Sequence, residues 1–290
     1  MINVLSLTNK IIILVLTALL LLVIGDTIGK TLTASGIEPF VVAWSRFVIG
    51  ALLILPFSNL KFSELKLFVN PLVILRASLI AGSIFTVTHA LKTEPIANVF
   101  GGFFIAPVIS YILAIVILKE KPSKAQTYLL SIGFIGVMIV VKPGFGVSIG
   151  MLLAILAGTF YGGYLATTKM IASHYRPRFL LLSQLIIGSV ILTPVGVIND
   201  IAIPEFTMDL SILLLGGAIL SALGNYLLVI ANKIGDASII APLVYSQLIY
   251  TAIIGVIIFG DVPDFSSIIG LILISLSGFG SVLVSKRKAK

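Results

Sequence analysis

Ten long apolar stretches, separated by short polar breaks, constrain this chain more than any other feature. They run over 11–33, 39–57, 71–91, 95–118, 124–141, 148–169, 179–198, 210–231, 236–259 and 265–285. The hydrocarbon core of a bilayer is about 30 Å thick and asks for roughly 20 apolar residues per helical crossing. Each stretch therefore reads as one transmembrane helix, and the loops between them leave no room for a soluble catalytic domain. Only 10% of the residues are charged, against roughly 25% in soluble domains, so water is not the main solvent. The first stretch exceeds the 7–15 residues of a signal-peptide core and reads as a retained first helix.

The basic residues orient the helices. Fourteen of the 19 Lys and Arg residues fall on the side that holds both termini, in short loops and the tail 286–290. Lys30, Lys92 and Lys142 fall on the other side, and Arg46 and Arg76 lie inside spans. By the positive-inside rule both termini are expected in the cytoplasm, and the expected location is the bacterial inner membrane. The formal charge of +8 is thus a topology signal, and nucleic acid is not an expected partner. With no cysteine, disulfides, thiolate metal sites and cysteine nucleophiles are excluded.

The two halves resemble each other at a constant offset of 141 in the numbering. Lys92, Glu120 and Pro122 align with Lys233, Asp261 and Pro263, and Glu64 aligns with Glu205. Lys119, Lys121 and Lys124 give way to Gly260, Val262 and Phe265, while Lys61 and Lys66 give way to Ala202 and Thr207. An odd number of helices per copy turns the second copy over in the membrane, so cytoplasmic loops of the first become external in the second. Lysines vanish where that inversion requires. The expected fold is therefore an all-α membrane protein of two inverted five-helix repeats, 1–145 and 146–290, an arrangement used by secondary transporters.

Several short segments carry a family likeness. They are Trp44-Ser45-Arg46-Phe47 leading into a Gly-Ala-Leu-Leu run, Ala90 to Ala97 (ALKTEPIA), Leu118-Lys119-Glu120-Lys121-Pro122, and Gly133 to Val137 followed by Val141-Lys142-Pro143-Gly144. In their order and spacing the chain resembles the EamA-type branch of the drug/metabolite transporter superfamily over almost its whole length. Asp26 followed by Lys30 is similar to the subgroup of organic-anion and S-adenosylmethionine carriers. The second copy departs from the first at Ile187, which aligns with Arg46.

Ionisable groups inside apolar helices each need a reason, because insertion scales charge them about 2.5–3.5 kcal/mol. Asp26 and Arg46 lie at equal depth on consecutive helices and are expected to meet, either as a structural ion pair or as a gate or substrate contact. Arg76 is expected to snorkel to the headgroups, and His89 to sit at the interface. Gly101-Gly102 aligns with Pro242-Leu243, and Pro107 follows; such matched interruptions point to a central site or to close helix packing. On the sixth helix, Tyr161 and Tyr164 edge a glycine groove suited to a polar ligand or to packing. Asn225, Tyr245 and Gln247, with Gln184, place polar groups inside later spans, where each needs a partner.

No HExxH, GxSxG or P-loop motif is present, so neither an enzyme nor direct drive by ATP is expected. No cofactor or metal is called for. The expected function is a secondary carrier for a small polar metabolite, anionic or zwitterionic and amino-acid-like, coupled to a proton or a counter-solute and surrounded by membrane lipid. The alternative is a flippase for lipid-linked intermediates, or a membrane scaffold with no soluble substrate.

Overall fold

The computed structural model describes residues 2–94, 96–141, 148–260 and 265–288. Lys142, Pro143, Gly144, Asp261, Val262 and Pro263, and with them the boundary expected at 145–146, lie outside the described residues. Among those described the chain is helical, with no strand. The helices are α1 (Ile2–Ala34), α2 (Pro39–Ile54), α3 (Pro71–Thr93), α4 (Ile96–Phe103), α5 (Ile105–Val116), α6 (Lys124–Val141), α7 (Ile149–Ala172), α8 (Pro177–Ile198), α9 (Met208–Ile234), α10 (Ala237–Val244), α11 (Ser246–Ile254) and α12 (Phe265–Lys288). Seven helical segments are long and apolar enough to cross a membrane. Shorter apolar helices, of 10–17 residues, stand where the other three apolar stretches fall.

Local chemistry sets the boundaries. Pro39, Pro71 and Pro177 open α2, α3 and α8, at the position where a missing N–H is harmless and φ is already helical. Side chains of Asn70, Ser148 and Thr207 accept hydrogen bonds from first-turn amides of α3, α7 and α9, satisfying donors that the helix leaves free. The first helix begins at Ile2 rather than near residue 11, because its polar first turns continue the apolar span without a breaker.

The backbone repeats itself where side chains do not. Left-handed residues other than glycine are found at Asn59 (φ 49°), Asp200 (φ 48°) and Lys119 (φ 53°). Asn59 and Asp200 are related by the repeat offset, and the image of Lys119 is Gly260, also left-handed at φ 72°. The fourth and ninth spans are each broken, at Phe104 and at Tyr245, which the same offset relates. These two break residues face each other, ring centroids 5.8 Å apart. The packing follows the same exchange: α1 lies along α9 as α3 lies along α7, while α2 packs on α8 and α6 on α12.

Candidate functional site

Asp26 and Arg46 meet. Arg46 Nη1 donates to Asp26 Oδ1 at 2.7 Å and Nη2 to the Gly25 carbonyl at 2.8 Å. Arg46 is buried, at 5% exposure, and Asp26 is mostly buried, at 13%. The guanidinium fits because residue 29 is glycine: a methyl group there would stand 2.7 Å from Arg46 Nη2.

The pair faces a small cavity of about 30 Å³ between α1, α2, α3, α4, α7, α9 and α11. Its polar lining is Asp26, Arg46, Tyr161, Asn225, Gln247, Ser83 and Ser221, and its apolar wall includes Leu22, Ile80, Ile84 and Phe103. That volume holds about two water molecules, at roughly 10–15 Å³ each by this measure. Tyr161 Oη, Asn225 Oδ1 and Gln247 Oε1 are buried without a hydrogen-bond partner among the described residues. Asn225 is oriented by its own helix, since its Nδ2 donates to the Ser221 carbonyl at 2.9 Å. Its oxygen is thereby left as the unsatisfied atom. An unpaired buried polar group costs about 1–3 kcal/mol, so these three residues on one cavity call for partners inside it, from a ligand or from the water it has room for.

Other expected site residues lie elsewhere. Tyr164 is fully buried outside the cavity, accepting from Arg76 Nη2 at 3.0 Å and donating to Gln184 Oε1 at 3.1 Å. Tyr245 stands at the α10–α11 break, its hydroxyl also without a partner among the described residues, its ring against Gly133. Gly101 and Gly102 fall inside α4 and Pro107 inside the first turn of α5; the break itself is at Phe104. Pro107 has no N–H for the Phe103 carbonyl four residues back. Pro242 lies on α10, and its side chain is outside the described ones.

The glycine groove of α7 is filled by that broken helix. A methyl group at Gly158 would collide with the Phe103 carbonyl oxygen, and one at Gly162 would stand 2.7 Å from the Ala106 carbonyl oxygen. Tyr161 packs beside it, 5.0 Å from the Phe103 ring. Packing therefore explains the glycines, and of the two tyrosines it is Tyr161 that lines the cavity.

Arg76 does not snorkel. It is fully buried, donating from Nε to Thr168 Oγ1 at 2.8 Å, from Nη1 to the Leu180 carbonyl at 2.9 Å and from Nη2 to Tyr164. Its guanidinium carbon also lies 4.8 Å from the Tyr164 ring centroid. Acceptors on α7 and α8 draw the side chain inward, and it staples these helices to α3. His89 is half-buried, Nδ1 held 2.7 Å from the Phe85 carbonyl.

Two lysines close matching helix ends, a feature that span counting does not reveal. Lys30 of α1 donates to the carbonyls of Leu91 (3.2 Å) and Glu94 (3.0 Å) at the end of α3. Lys169 of α7 donates to the Gly235 carbonyl at the end of α9 (2.5 Å) and lies 3.7 Å from Asp236. Each cation meets the negative end of a helix dipole. A further ion pair, Glu64 with Arg176, joins two loops at the Lys169 end, with Nε to Oε1 at 2.8 Å.

Comparison with known proteins agrees with this architecture. The EamA-like transporter family matches twice, over residues 9–142 and 148–283. A riboflavin transporter of Brucella anthropi is 28% identical over 248 residues, covering 80% of this chain and 84% of that protein. An S-adenosylmethionine uptake transporter of Rickettsia prowazekii is 27% identical over 260 residues, covering 87% of this chain and 85% of that protein. A solved crystal structure superposes with a TM-score of 0.76 at 16% identity, covering 96% of this chain and 98% of the other, which supports the fold alone.

Proposed function

The chain belongs to the EamA-like transporter family, a family of membrane transporters and not of enzymes, and on that premise we propose that it carries a small polar metabolite across the bacterial inner membrane by alternating access. The observation that supports this most is the convergence of three unsatisfied buried polar atoms and one ion pair on a single central cavity. Groups without a partner among the protein's own side chains are available to a polar ligand that displaces the cavity's water. The mixed lining suits an anionic or zwitterionic, amino-acid-like molecule: a carboxylate for Arg46, and donors for Asp26, Asn225 and Gln247. The relatives named as riboflavin and S-adenosylmethionine transporters support a metabolite cargo and leave its identity to experiment.

At about 30 Å³ the cavity is far smaller than the roughly 300 Å³ or more of ordinary ligand clefts. We read this conformation as closed, with the site opened to one side and then the other as the halves exchange shapes. In this reading the chain crosses ten times, residues 1–145 and 146–290 are inverted copies, and both termini are cytoplasmic. Coupling to a proton or a counter-solute fits the same scheme. A reporter fused after Lys290 is expected to read cytoplasmic; a periplasmic signal overturns the topology.

The functional test uses the unsatisfied atoms. A thermal-shift screen of metabolites on the purified protein should find a ligand that raises its melting temperature. Asn225→Leu and Gln247→Leu should each raise the melting temperature of the ligand-free protein, by removing an unpaired polar group, while abolishing that ligand-induced shift. Loss of stability together with unchanged ligand response would refute the site.

A further inference from the structure

The seam between α2 and α8 carries a groove at each end. One, of about 420 Å³, is walled by Phe40, Val41, Trp44 and Val197 and edged by Asp200. The other, of about 330 Å³, is walled by Ile54, Pro56, Phe57, Leu181, Leu223 and Tyr226 and edged by Asn59 and Arg178. Both volumes fall in the range of small-ligand clefts. The grooves are images of each other: at the repeat offset, Phe40 corresponds to Leu181, Pro56 to Val197, and Asn59 to Asp200. Their walls are alike and apolar, and Phe57 and Val197 stand about 70% exposed, as side chains facing lipid do.

The rims differ in charge. Asp200 places a carboxylate at one groove, where its image has the neutral amide of Asn59. Arg178 places a guanidinium at the other, where its image has Ile37. Arg178 is exposed, and its hydrogen bond among the described residues is one long donation, Nη1 to the Phe57 carbonyl at 3.4 Å. Its neighbour Arg176 is instead occupied by both oxygens of Glu64.

We propose that the Arg178 groove binds an anionic phospholipid, an acyl chain lying on the Ile54–Phe57 and Leu181 wall and the phosphate resting on Arg178 and the Asn59 amide. The apolar wall selects a lipid over a free anion, and the guanidinium selects an anionic headgroup over a zwitterionic one. Lys61 and Lys66 lie on the same short connecting segment as Glu64, and with Arg176 offset by Glu64 they leave the local charge positive. The image groove, with Asp200 on its rim, discriminates against the same lipid. The inference does not depend on what the protein transports.

The test is native mass spectrometry of the full chain, delipidated in detergent and offered equal amounts of phosphatidylglycerol and phosphatidylcholine with identical chains. The wild type should retain phosphatidylglycerol preferentially. Arg178→Gln, at an exposed position that leaves the core intact, should lower that preference about fivefold, the effect of one basic residue at an anionic surface. Arg178→Lys should keep most of it, and Leu223→Trp, which fills the groove, should reduce retention with Arg178 present. A preference that survives Arg178→Gln, or one that follows neutralisation of the basic tail at 286–290 instead, overturns the proposal. So does a preference abolished by millimolar inorganic phosphate, which would mark a free-anion site, and so does unchanged retention in Leu223→Trp.

Discussion

In the first half of the chain the central cavity is faced by charge, Asp26 and Arg46; in the second it is faced by neutral polar groups, Tyr161, Asn225 and Gln247. The images of these residues are Thr167, Ile187, Leu20, Ile84 and Ala106, so four of the five have apolar images. Yet the backbone frames agree at particular points, the left-handed pairs Asn59 and Asp200, Lys119 and Gly260, and the helix breaks at Phe104 and Tyr245, although left-handed Gly36 has Pro177 as its image. The difference teaches that frame and lining answer to separate demands. Under the proposed alternating access, the halves need to adopt each other's shapes, which constrains backbone geometry. A ligand with unlike ends needs unlike walls, which releases the side chains from symmetry.

The sharpest way to break this comparison is to remove the charge. Arg46→Ala leaves the Asp26 carboxylate buried and unpaired, and removing one member of a buried pair costs about 3–5 kcal/mol. A large fall in melting temperature and loss of ligand binding are expected. Adding Asp26→Asn should recover part of the stability, because the stranded charge goes too, but not the binding if Arg46 holds an anionic group. Arg46→Lys should serve poorly, since an ammonium cannot reach both Asp26 and the Gly25 carbonyl as the planar fork does. The image substitution Ile187→Ala should leave ligand binding in place. Transport by a stably folded Arg46→Ala protein would remove Arg46 from the site and leave recognition to the second half.

A smaller effect separates the two broken helices. The α4–α5 break lies tightly on α7 because Gly158 and Gly162 let backbone approach backbone. Their images on α1 are Thr17 and Leu21, and α10–α11 packs less closely there, leaving Thr17 exposed. Gly158→Ala drives a methyl group into the Phe103 carbonyl and should destabilise by about 1–3 kcal/mol, as overpacking does. Thr17→Ala should change stability by about 0.5 kcal/mol or less, the usual range for an exposed site. Equal losses in thermal unfolding would show that both broken helices are held alike.

The same asymmetry explains what could be read before the structure. The meeting of Asp26 with Arg46 was legible because both sit at one depth on neighbouring helices, and depth follows from counting residues. The duplication was legible from residues matched at a constant offset, as the two family matches agree, and Asn225 and Gln247 drew attention through the cost of polar groups inside apolar spans. The direction taken by Arg76 was not, since snorkelling and burial differ only in whether a neighbouring helix offers acceptors, and Thr168, Leu180 and Tyr164 are distant in sequence. Tyr164 was misplaced for the same reason: one turn from Tyr161, it is turned to a different neighbour. The break at Phe104 hid between Gly101 and Pro107, and its image at Tyr245 arises with Pro242 on the opposite side, so no shared motif marks the pair.

The least effect is expected at the loops. Glu64 accepts from Arg176 and from the Lys61 amide, at 3.0 Å for the latter, whereas its image Glu205 is exposed and makes no ion pair among the described residues. The hydrogen bonds from Arg176 hold the Glu64 carboxyl below its usual range, against the opposing pull of desolvation. A carboxyl with a lowered folded-state pKa binds protons more readily when the chain unfolds. Its contribution is therefore present above the ordinary glutamate range and is lost as pH falls through the lowered folded value. Arg176 is more than a third exposed, so solvent screening limits the pair to about 0.2–1 kcal/mol. Acidification from pH 7 towards pH 3 should lower the melting temperature slightly more in the wild type than in Glu64→Gln, while Glu205→Gln follows the wild type. If Glu205→Gln blunted the acid response as much as Glu64→Gln, the two ends would be latched alike, and the difference between the halves would lie in the cavity, the packing of the broken helices and the α2–α8 grooves.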